Sequence, residues 1–197
     1  MNENSNDSSP RIPDHPIDPM FIDRWSPRAF LGDPLTQQEI DSLFEAARFA
    51  PSAFNEQPWV FAFARTPEDR AQFVSALSDR NKTWASRAPL LLFVLARRKF
   101  ARNGKENRHA AFDAGAAWMA LALQARKLGL YTHAMAGFSV EKAQGILGVN
   151  PEDYLVIAAI AVGRKGDPAT LPDDLRAIEA PNERKSISAF VFEMKVK

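Results

Sequence analysis

Cysteine is absent from the sequence, which excludes disulfides, thiolate metal ligands and a catalytic thiol. This absence is easiest to reconcile with a reducing compartment, so we expect a cytoplasmic protein. The net charge of +1 leaves no global basic field of the kind that sequence-independent nucleic-acid binding requires. No run reaches the roughly 18 apolar residues of a membrane span, and the first residues lack a signal peptide's basic and apolar regions. We therefore expect neither a nucleic-acid nor a membrane partner.

The common catalytic motifs are also missing. The three histidines, His15, His109 and His133, never occur at the i, i+3 or i, i+4 spacing of helical metal ligands, so we expect no metal. There is no G-x-S-x-G hydrolase elbow, no G-x-G-x-x-G and no G-x-x-x-x-G-K-[ST] phosphate loop, which argues against a Rossmann nucleotide site. These absences indicate chemistry that is carried by a bound cofactor and needs no catalytic side chain.

The remaining composition is that of one globular domain. Hydrophobic residues make up 46% of the 197 residues and charged residues 25%. Residues 1–19 are polar and rich in proline, which predicts a disordered N-terminal tail. Residues 20–197 are predicted to form a single domain with a C-terminal arm. The last stretch, SISAFVFEMKVK, alternates apolar and polar residues and is expected to be either an edge strand or an arm that crosses to a partner.

Periodicity and capping signals predict helices and strands that alternate without regular βαβ spacing. Thr36 and Glu39 form a capping box at the start of a helix that Pro51 stops. The other predicted helices cover residues 66–77, 109–129 and 139–148, and the predicted strands cover residues 59–65, 90–96 and 153–163.

The longest helical pattern, residues 109–129, is apolar on nearly all sides and ends at Gly129. Such a helix must be buried on most faces, which in a chain of this size predicts packing against a second copy of itself. Trp118 and Met119 are interpreted as interface core rather than cofactor contacts. The charged connection RRKFARNGKENR, residues 97–108, is hypothesised to cover a substrate.

Two short polar stretches are candidate binding elements. In DRWSPRAF, Arg24 and Arg28 are either solvent-facing charges or bidentate ligands of an anion. In APSAFNEQPWVF, Ser52, Asn55 and Gln57 are either part of a turn after a helix stop or polar readers of a planar ligand. Each stretch by itself leaves both readings open.

Together, the two stretches resemble the nitroreductase family of FMN-dependent oxidoreductases. They match its R-x-S-x-R-x-F and A-P-S-x-x-N-x-Q-P-W-x-F elements, and three further segments follow in family order. DAGAAWMALALQARKLGL resembles the long dimer-interface helix, YLVIAAIAVG the central strand, and PNERKSISAFVF the terminal R-K-x-[IL] segment. The resemblance spans about residues 20 to 194. It implies an α+β fold with a central, mainly antiparallel sheet flanked by helices, and an intertwined homodimer with an FMN site at each subunit interface.

The resemblance also implies roles for individual residues. The ribityl phosphate would be held by Arg24, Ser26, Arg28 and Arg184, with Trp25 at a variable position beside them and Arg164 either joining the phosphate or facing solvent. The flavin edge would be approached from the other subunit by Pro51, Ser52, Ala53, Asn55 and Gln57. Asn81 would read the pyrimidine edge, and the backbone near Ala136 and Gly137 would lie close to flavin N5. Trp84 stands where some relatives carry a lysine near flavin N1 and O2, with Lys82 nearby.

The function implied by the resemblance is that of an oxidoreductase. NADH or NADPH would pass a hydride through flavin N5 to a small electrophilic acceptor such as a nitroaromatic, a quinone or an enone. One alternative is a flavin-binding protein without reductase turnover, and another is a dehalogenase or flavin-cleaving member of the same family. A third is an FMN-free interaction protein that uses Arg24 and Arg28 on an acidic partner.

Overall fold

The structure is a computed structural model, and it describes residues 11–196. The helices are α1 Pro19–Asp23, α2 Gln37–Arg48, α3 Pro67–Ala76, α4 Asp79–Ala85, α5 Ala110–Lys127, α6 Val140–Leu147 and α7 Asp173–Arg176. The strands are β1 Trp59–Ala64, β2 Leu90–Arg97, β3 Tyr131–Met135 and β4 Tyr154–Gly163. Single 3-10 turns occupy Ala53–Asn55, Pro168–Thr170 and Ile187–Ala189.

The four strands form one sheet in the order β1-β2-β4-β3, and all neighbouring strands are antiparallel. The prediction of an α+β fold around a mainly antiparallel sheet is therefore confirmed. Strand β3 was not predicted, because Thr132 and His133 interrupt the apolar pattern of a segment only five residues long. The hydrogen bonds to β4 hold this segment in a strand conformation that its own residue pattern does not predict.

The sheet is covered by helices on both faces. Along β2, Leu91, Phe93 and Leu95 belong to the core on the side of α3 and α6. The alternate residues, Leu90, Leu92 and Val94, belong to the core on the side of α2 and α5. Because successive side chains of a strand point to opposite faces, the continuous apolar run of β2 is what a strand between two helical layers requires.

Local capping signals place several helix ends correctly. The Thr36 hydroxyl accepts from the Glu39 amide at 3.2 Å, and the Glu39 carboxylate accepts from the Thr36 amide at 2.7 Å, so the predicted capping box is present. Helix α4 was not predicted, since its sequence DRNKTWA is polar except at its end. Trp84 and Ala85 anchor this helix in the core, which is a tertiary contact that periodicity over one short segment does not reveal.

Both chain ends were assigned from composition. Residues 1–10 of the predicted tail lie outside the described residues, and residues 11–18 contain neither helix nor strand. At the other end, residues 186–196 contain one 3-10 turn and no strand, so the edge-strand alternative for this stretch is wrong. Alternation is only a weak signal where no neighbouring strand offers hydrogen bonds. The crossing of this arm to a partner stays a prediction.

The charged connection after β2 is ordered against the segment that follows α2. Lys99 and Glu106 form an antiparallel bridge, and the Ala101 amide donates to the Glu56 carboxylate at 2.5 Å. The rings of Phe54 and Phe100 meet edge to face with centroids 6.0 Å apart. A role in covering a substrate stays a prediction. Within residues 11–196, no helix combines the length and apolarity needed to cross a membrane.

Candidate functional site

The R-x-S-x-R-x-F segment lies against the end of β4. The Leu31 amide donates to the Arg164 carbonyl at 2.9 Å, and the Gly166 amide donates to the Ala29 carbonyl at 2.8 Å. A Cβ on Gly166 would lie 2.9 Å from the carbonyl carbon of Phe30, so only glycine allows this close approach without a shift. These contacts hold the backbone of the segment against the residues that follow β4.

Arg24 and Arg184 come from opposite ends of the described chain and lie close enough to interact. Burial, followed by the positive charge of Arg184, lowers the pKa of Arg24. The Arg184 side chain donates to the carbonyls of Asn182 and Glu183 at 3.1 Å and 2.9 Å. A half-buried arginine whose surroundings contain a second positive charge is chemically suited to bind an anion.

Arg28, by contrast, is held by a carboxylate that no sequence signal revealed. Glu179 accepts from the backbone amides of Arg28 and Ala29 at 2.6 Å and 2.8 Å, and its second oxygen lies 3.4 Å from Arg28 Nη1. The Glu179 side chain is only 1% exposed. A carboxylate that accepts from two backbone amides fixes the turn that carries Arg28.

A histidine on β3 supports the same turn. His133 Nδ1 lies 2.9 Å from the Pro27 carbonyl, which requires the proton on Nδ1, because a carbonyl only accepts. Burial is the main cause that lowers the pKa of His133, and Arg28 lowers it further, whereas the hydrogen bond to Pro27 acts in the opposite direction. The imidazole is therefore neutral at pH 7 and serves as a fixed donor.

Trp84 and Trp25 both pack against the protein itself. The Trp84 ring lies between His133, at a centroid distance of 4.5 Å, and Phe30, at 6.2 Å, and the residue is 1% exposed. Trp25 meets Tyr131 edge to face at 6.2 Å and packs against the core next to α3 and α6. Lys82, the other cation considered near the flavin, pairs with Asp79 at 2.9 Å.

Asn81 and Gly137 are in direct contact. The Asn81 side-chain amide donates to the Gly137 carbonyl at 2.9 Å, and the Ser78 amide donates to the same oxygen at 2.9 Å. A Cβ on Gly137 would lie 2.7 Å from Asn81 Nδ2 and 2.9 Å from Ser78 Oγ. The start of α4 therefore holds the backbone of residues 136–137 in one position, and Ala136 is exposed beside it.

The A-P-S segment concentrates backbone strain. Phe54, Asn55 and Gln57 have φ values of 55°, 56° and 50°, which non-glycine residues adopt rarely. The Gln57 amide donates to Ser52 Oγ at 3.0 Å, and the Gln57 side chain donates to Asn55 Oδ1 at 3.1 Å. Strain of this kind is tolerated where surrounding contacts impose it and is common in binding sites.

Asp113 anchors this strained segment to α5. Its carboxylate accepts from the Ala53 amide at 3.1 Å, and the residue is 3% exposed. Arg108, which precedes the helix, contacts His109 through its Nε at 3.2 Å.

Comparison with known proteins identifies the family to which the chain belongs. The profile of the nitroreductase family matches residues 22–83 and 71–164. The chain belongs to the nitroreductase family. A solved structure of an FMN-containing oxidoreductase is 39% identical, covers 98% of both chains and has a TM-score of 0.91. A nitroreductase family protein of Clostridium difficile, 18% identical, covers 90% of this chain and 97% of its own with a TM-score of 0.70, which shows the shared fold.

Two relatives extend the comparison by sequence. A Streptomyces coelicolor protein assigned by its name as an NADH dehydrogenase/NAD(P)H nitroreductase is 27% identical over 178 residues, which are 79% of this chain and 88% of that protein. The CLA biosynthesis enone reductase of Lactiplantibacillus plantarum is 26% identical over 183 residues, covering 74% and 83% of the two chains. The resemblance read from five motifs is thus confirmed at the level of the family.

In this nitroreductase-family chain, the predicted site residues fall into three groups. Arg24, Ser26 and Arg28 lie on one segment, the A-P-S residues lie near the start of α5, and Asn81 meets Gly137 at the turn after β3. Across the described part of the chain, no hydrogen bond, ion pair or ring contact joins residues 24–28 to residues 51–57. A site shared between two subunits would show this separation within one chain.

The Arg164 side chain bonds to none of these groups. Its Nη2 donates to the Glu39 carboxylate at 2.5 Å, which links the end of β4 to the capping box of α2. The residues that sequence reasoning missed are Glu179 and His133, which position the arginine segment from distant parts of the chain. Neither lies in a motif, so only the folded contacts identify them.

Proposed function

We propose that this protein is an FMN-dependent oxidoreductase that uses NADH or NADPH to reduce a small electrophilic acceptor. The observation that carries the proposal is the turn that holds Arg28 at a motif position expected to bind a phosphate: its backbone amides donate to the buried Glu179 carboxylate, and its Pro27 carbonyl accepts from His133. The FMN-containing oxidoreductase, which matches the chain over its whole length, and the NAD(P)H nitroreductase names of its relatives support FMN and a nicotinamide donor.

The residues present fit this cofactor. Arginine forms charge-assisted bidentate bonds with phosphate, and the repulsion between Arg24 and Arg184 would be relieved by a bound dianion. At the other expected contact, the missing side chain of Gly137 lets Asn81 and Ser78 hold the backbone of residues 136–137 in place, with Ala136 exposed beside it. The strained segment at Ser52, Asn55 and Gln57 offers polar groups for the ring edge.

When bound, FMN supplies the hydride-transfer chemistry, and the protein supplies binding, orientation and exclusion of water. Arg24 and Arg184 would bind the phosphate, while Glu179 and His133 hold the turn that carries Arg28. Arg28, Ser26 and Trp25 lie on that turn. No side chain of this set needs to act as a nucleophile or as a metal ligand.

The proposed site is completed by a second subunit. Phe112 on α5 is 80% exposed, and Phe54 in the A-P-S segment is 73% exposed. In the C-terminal arm, Phe190 and Met194 are 64% and 95% exposed. Apolar exposure on the long helix, at the strained segment and along the arm is what an intertwined homodimer would bury.

The acceptor is proposed at the level of chemical class. The enone reductase among the relatives supports an activated double bond as one acceptor, alongside nitroaromatics and quinones. The same residues would also serve a dehalogenase or a flavin-cleaving member of the family, since these activities share the cofactor. Assays with one acceptor of each class separate these activities.

The test is spectroscopic. Full-length protein reconstituted with FMN should show bound flavin absorption, which anaerobic NADH or NADPH should bleach and an added nitroaromatic, quinone or enone should restore. A protein that stays colourless after reconstitution refutes the proposal. Bound flavin that no acceptor reoxidises would instead establish a flavin-binding protein without reductase turnover.

A further inference from the structure

A large aromatic side chain stands exposed in the middle of the strained A-P-S segment. Phe54 has a φ of 55°, a conformation that bulky residues rarely adopt and that costs free energy. Its side chain is nevertheless largely exposed, so it buries little apolar surface in return. Neither the strain nor the exposed ring stabilises the folded chain. Their combination at one residue indicates that this ring serves in binding.

The same ring lies under an arginine. Arg102 Cζ is 4.1 Å from the centroid of the Phe54 ring and 5.3 Å from that of the Phe100 ring. Within residues 11–196, the Arg102 side chain forms no hydrogen bond and no ion pair. A guanidinium that lies over a ring keeps its N–H groups at its own edge, where two of them can bind one carboxylate. The cluster thus combines an exposed ring with a cation whose donors are unused within these residues.

Arg102 is held in this position by a hydrogen-bonded loop. The Phe100 amide donates to the Lys105 carbonyl at 2.8 Å, which closes the loop around Arg102. Next to Arg102, the Ala101 amide donates to the Glu56 carboxylate at 2.5 Å, which joins the loop to the A-P-S segment. The cation and the ring are therefore in place before a ligand binds, which lowers the entropy cost of binding.

We propose that Phe54 and Arg102 select the acceptor: Phe54 packs against its aromatic ring, and Arg102 binds a carboxylate attached to that ring. This inference rests on the proposed function, in which residues 51–57 lie at the edge of the flavin ring. Because Arg102 Cζ is only 4.1 Å from the centre of the Phe54 ring, the charge and the ring of the ligand must be adjacent. A nitroaromatic carboxylate meets this condition. The phosphates of NADH and NADPH are separated from the nicotinamide ring by a ribose.

A purely structural role for Arg102 makes a different prediction. If the guanidinium only covered Phe54, its loss would slow the reduction of charged and neutral acceptors alike. If Arg102 binds the carboxylate, its loss affects 4-nitrobenzoate much more than 4-nitrobenzamide, which has the same ring and nitro group but no charge. In both acceptors a hydride and a proton convert the nitro group into a nitroso group and water, while the flavin is reoxidised. The ratio of the two rates therefore separates the roles.

The experiment uses full-length protein that is reconstituted with FMN and reduced anaerobically with stoichiometric NADH. Stopped-flow absorbance measures the second-order rate constant of flavin reoxidation by each acceptor. The variants are Arg102→Gln and Arg102→Lys. The matched control is Arg48→Gln, since Arg48 also lies over a phenylalanine ring, that of Phe49, at 4.5 Å.

We expect Arg102→Gln to lower the ratio of the 4-nitrobenzoate rate to the 4-nitrobenzamide rate about tenfold, the loss typical of a hydrogen bond between charged groups. Arg102→Lys should keep part of the wild-type ratio, because it retains the charge but not the paired donors. Arg48→Gln should show the wild-type ratio.

The possible failures are distinct. A wild type that binds no flavin, or whose reduced flavin neither acceptor reoxidises, would refute the proposed function and this inference with it. If the wild type reduces both acceptors and Arg102→Gln leaves their ratio unchanged, only the role of Arg102 is overturned. Equal slowing of both acceptors would establish the structural role instead. Slower bleaching of the flavin by NADPH, with normal reoxidation, would assign Arg102 to a phosphate of the donor and overturn its role toward the acceptor.

Discussion

The side-chain amide of Asn81 donates a 2.9 Å hydrogen bond to the carbonyl of Gly137, which joins the start of α4 to the turn after β3. This contact brings together two residues that the family resemblance had assigned separately, one to the pyrimidine edge and one to the neighbourhood of N5. Because Gly137 has no side chain, Asn81 can lie this close to the backbone of the turn.

The substitution Gly137→Ala should therefore lower the stability of the protein and weaken FMN binding. The new Cβ would lie 2.7 Å from Asn81 Nδ2, so Asn81 must move and lose its hydrogen bond. We expect a loss of about 1 kcal/mol in the free energy of unfolding and weaker FMN binding by about tenfold. Gly145→Ala in α6 is the matched control, since among the described residues only the backbone of α6 itself lies near its Cβ position, and alanine favours helices. Equal effects of the two substitutions would contradict this account.

The role of Glu179 can be tested with one variant that removes its acceptor oxygens and another that removes only its charge. Glu179→Ala leaves the buried amides of Arg28 and Ala29 without their acceptor, which should cost about 2 kcal/mol in urea unfolding. Glu179→Gln keeps an acceptor oxygen and should recover most of that loss. If the alanine variant were as stable as the wild type, the turn would be held by other contacts.

The lowered pKa of His133 predicts that the folded protein loses stability in acid. Its pKa in the folded protein lies below its ordinary value of 6.5, so the unfolded chain takes up the proton first. This contribution to stability is complete above about pH 6.5 and is lost as the pH falls from there toward the folded-state pKa. His133→Asn cannot titrate, so its free energy of unfolding should fall less steeply over that range. Chemical unfolding at several pH values measures the difference, and identical slopes would argue against this role of His133.

The proposed dimer can be tested on α5. Apart from the backbone of α5 itself, nothing in residues 11–196 lies within 4 Å of a Cβ built on Gly115, so these residues leave room for a larger side chain there. Gly115→Leu should shift size-exclusion chromatography with light scattering toward the monomer if α5 packs on a second copy. Gly145→Leu, also at a helical glycine with open space, should leave the dimer unchanged. A Gly115→Leu variant that stays fully dimeric would place the interface elsewhere.

Much of the fold follows from local patterns. The capping box at Thr36 and Glu39 marks the start of α2, and the apolar runs mark β1, β2 and β4 as strands. These signals are readable because capping hydrogen bonds and side-chain periodicity involve residues near one another in sequence. The motif positions Arg24, Ser26 and Arg184 identify the family for the same reason.

The sequence by itself determined the family, the main helices and strands, and the residue types that an anion site would use. The tertiary structure decided what holds those residues in place: Glu179 beneath Arg28, Asp113 beneath Ala53, and Arg11 beside Arg24. Each of these contacts joins segments whose proximity depends on how the helices pack around the sheet. No local pattern encodes such a pairing, because the energy that selects it comes from burial and charge in the folded chain.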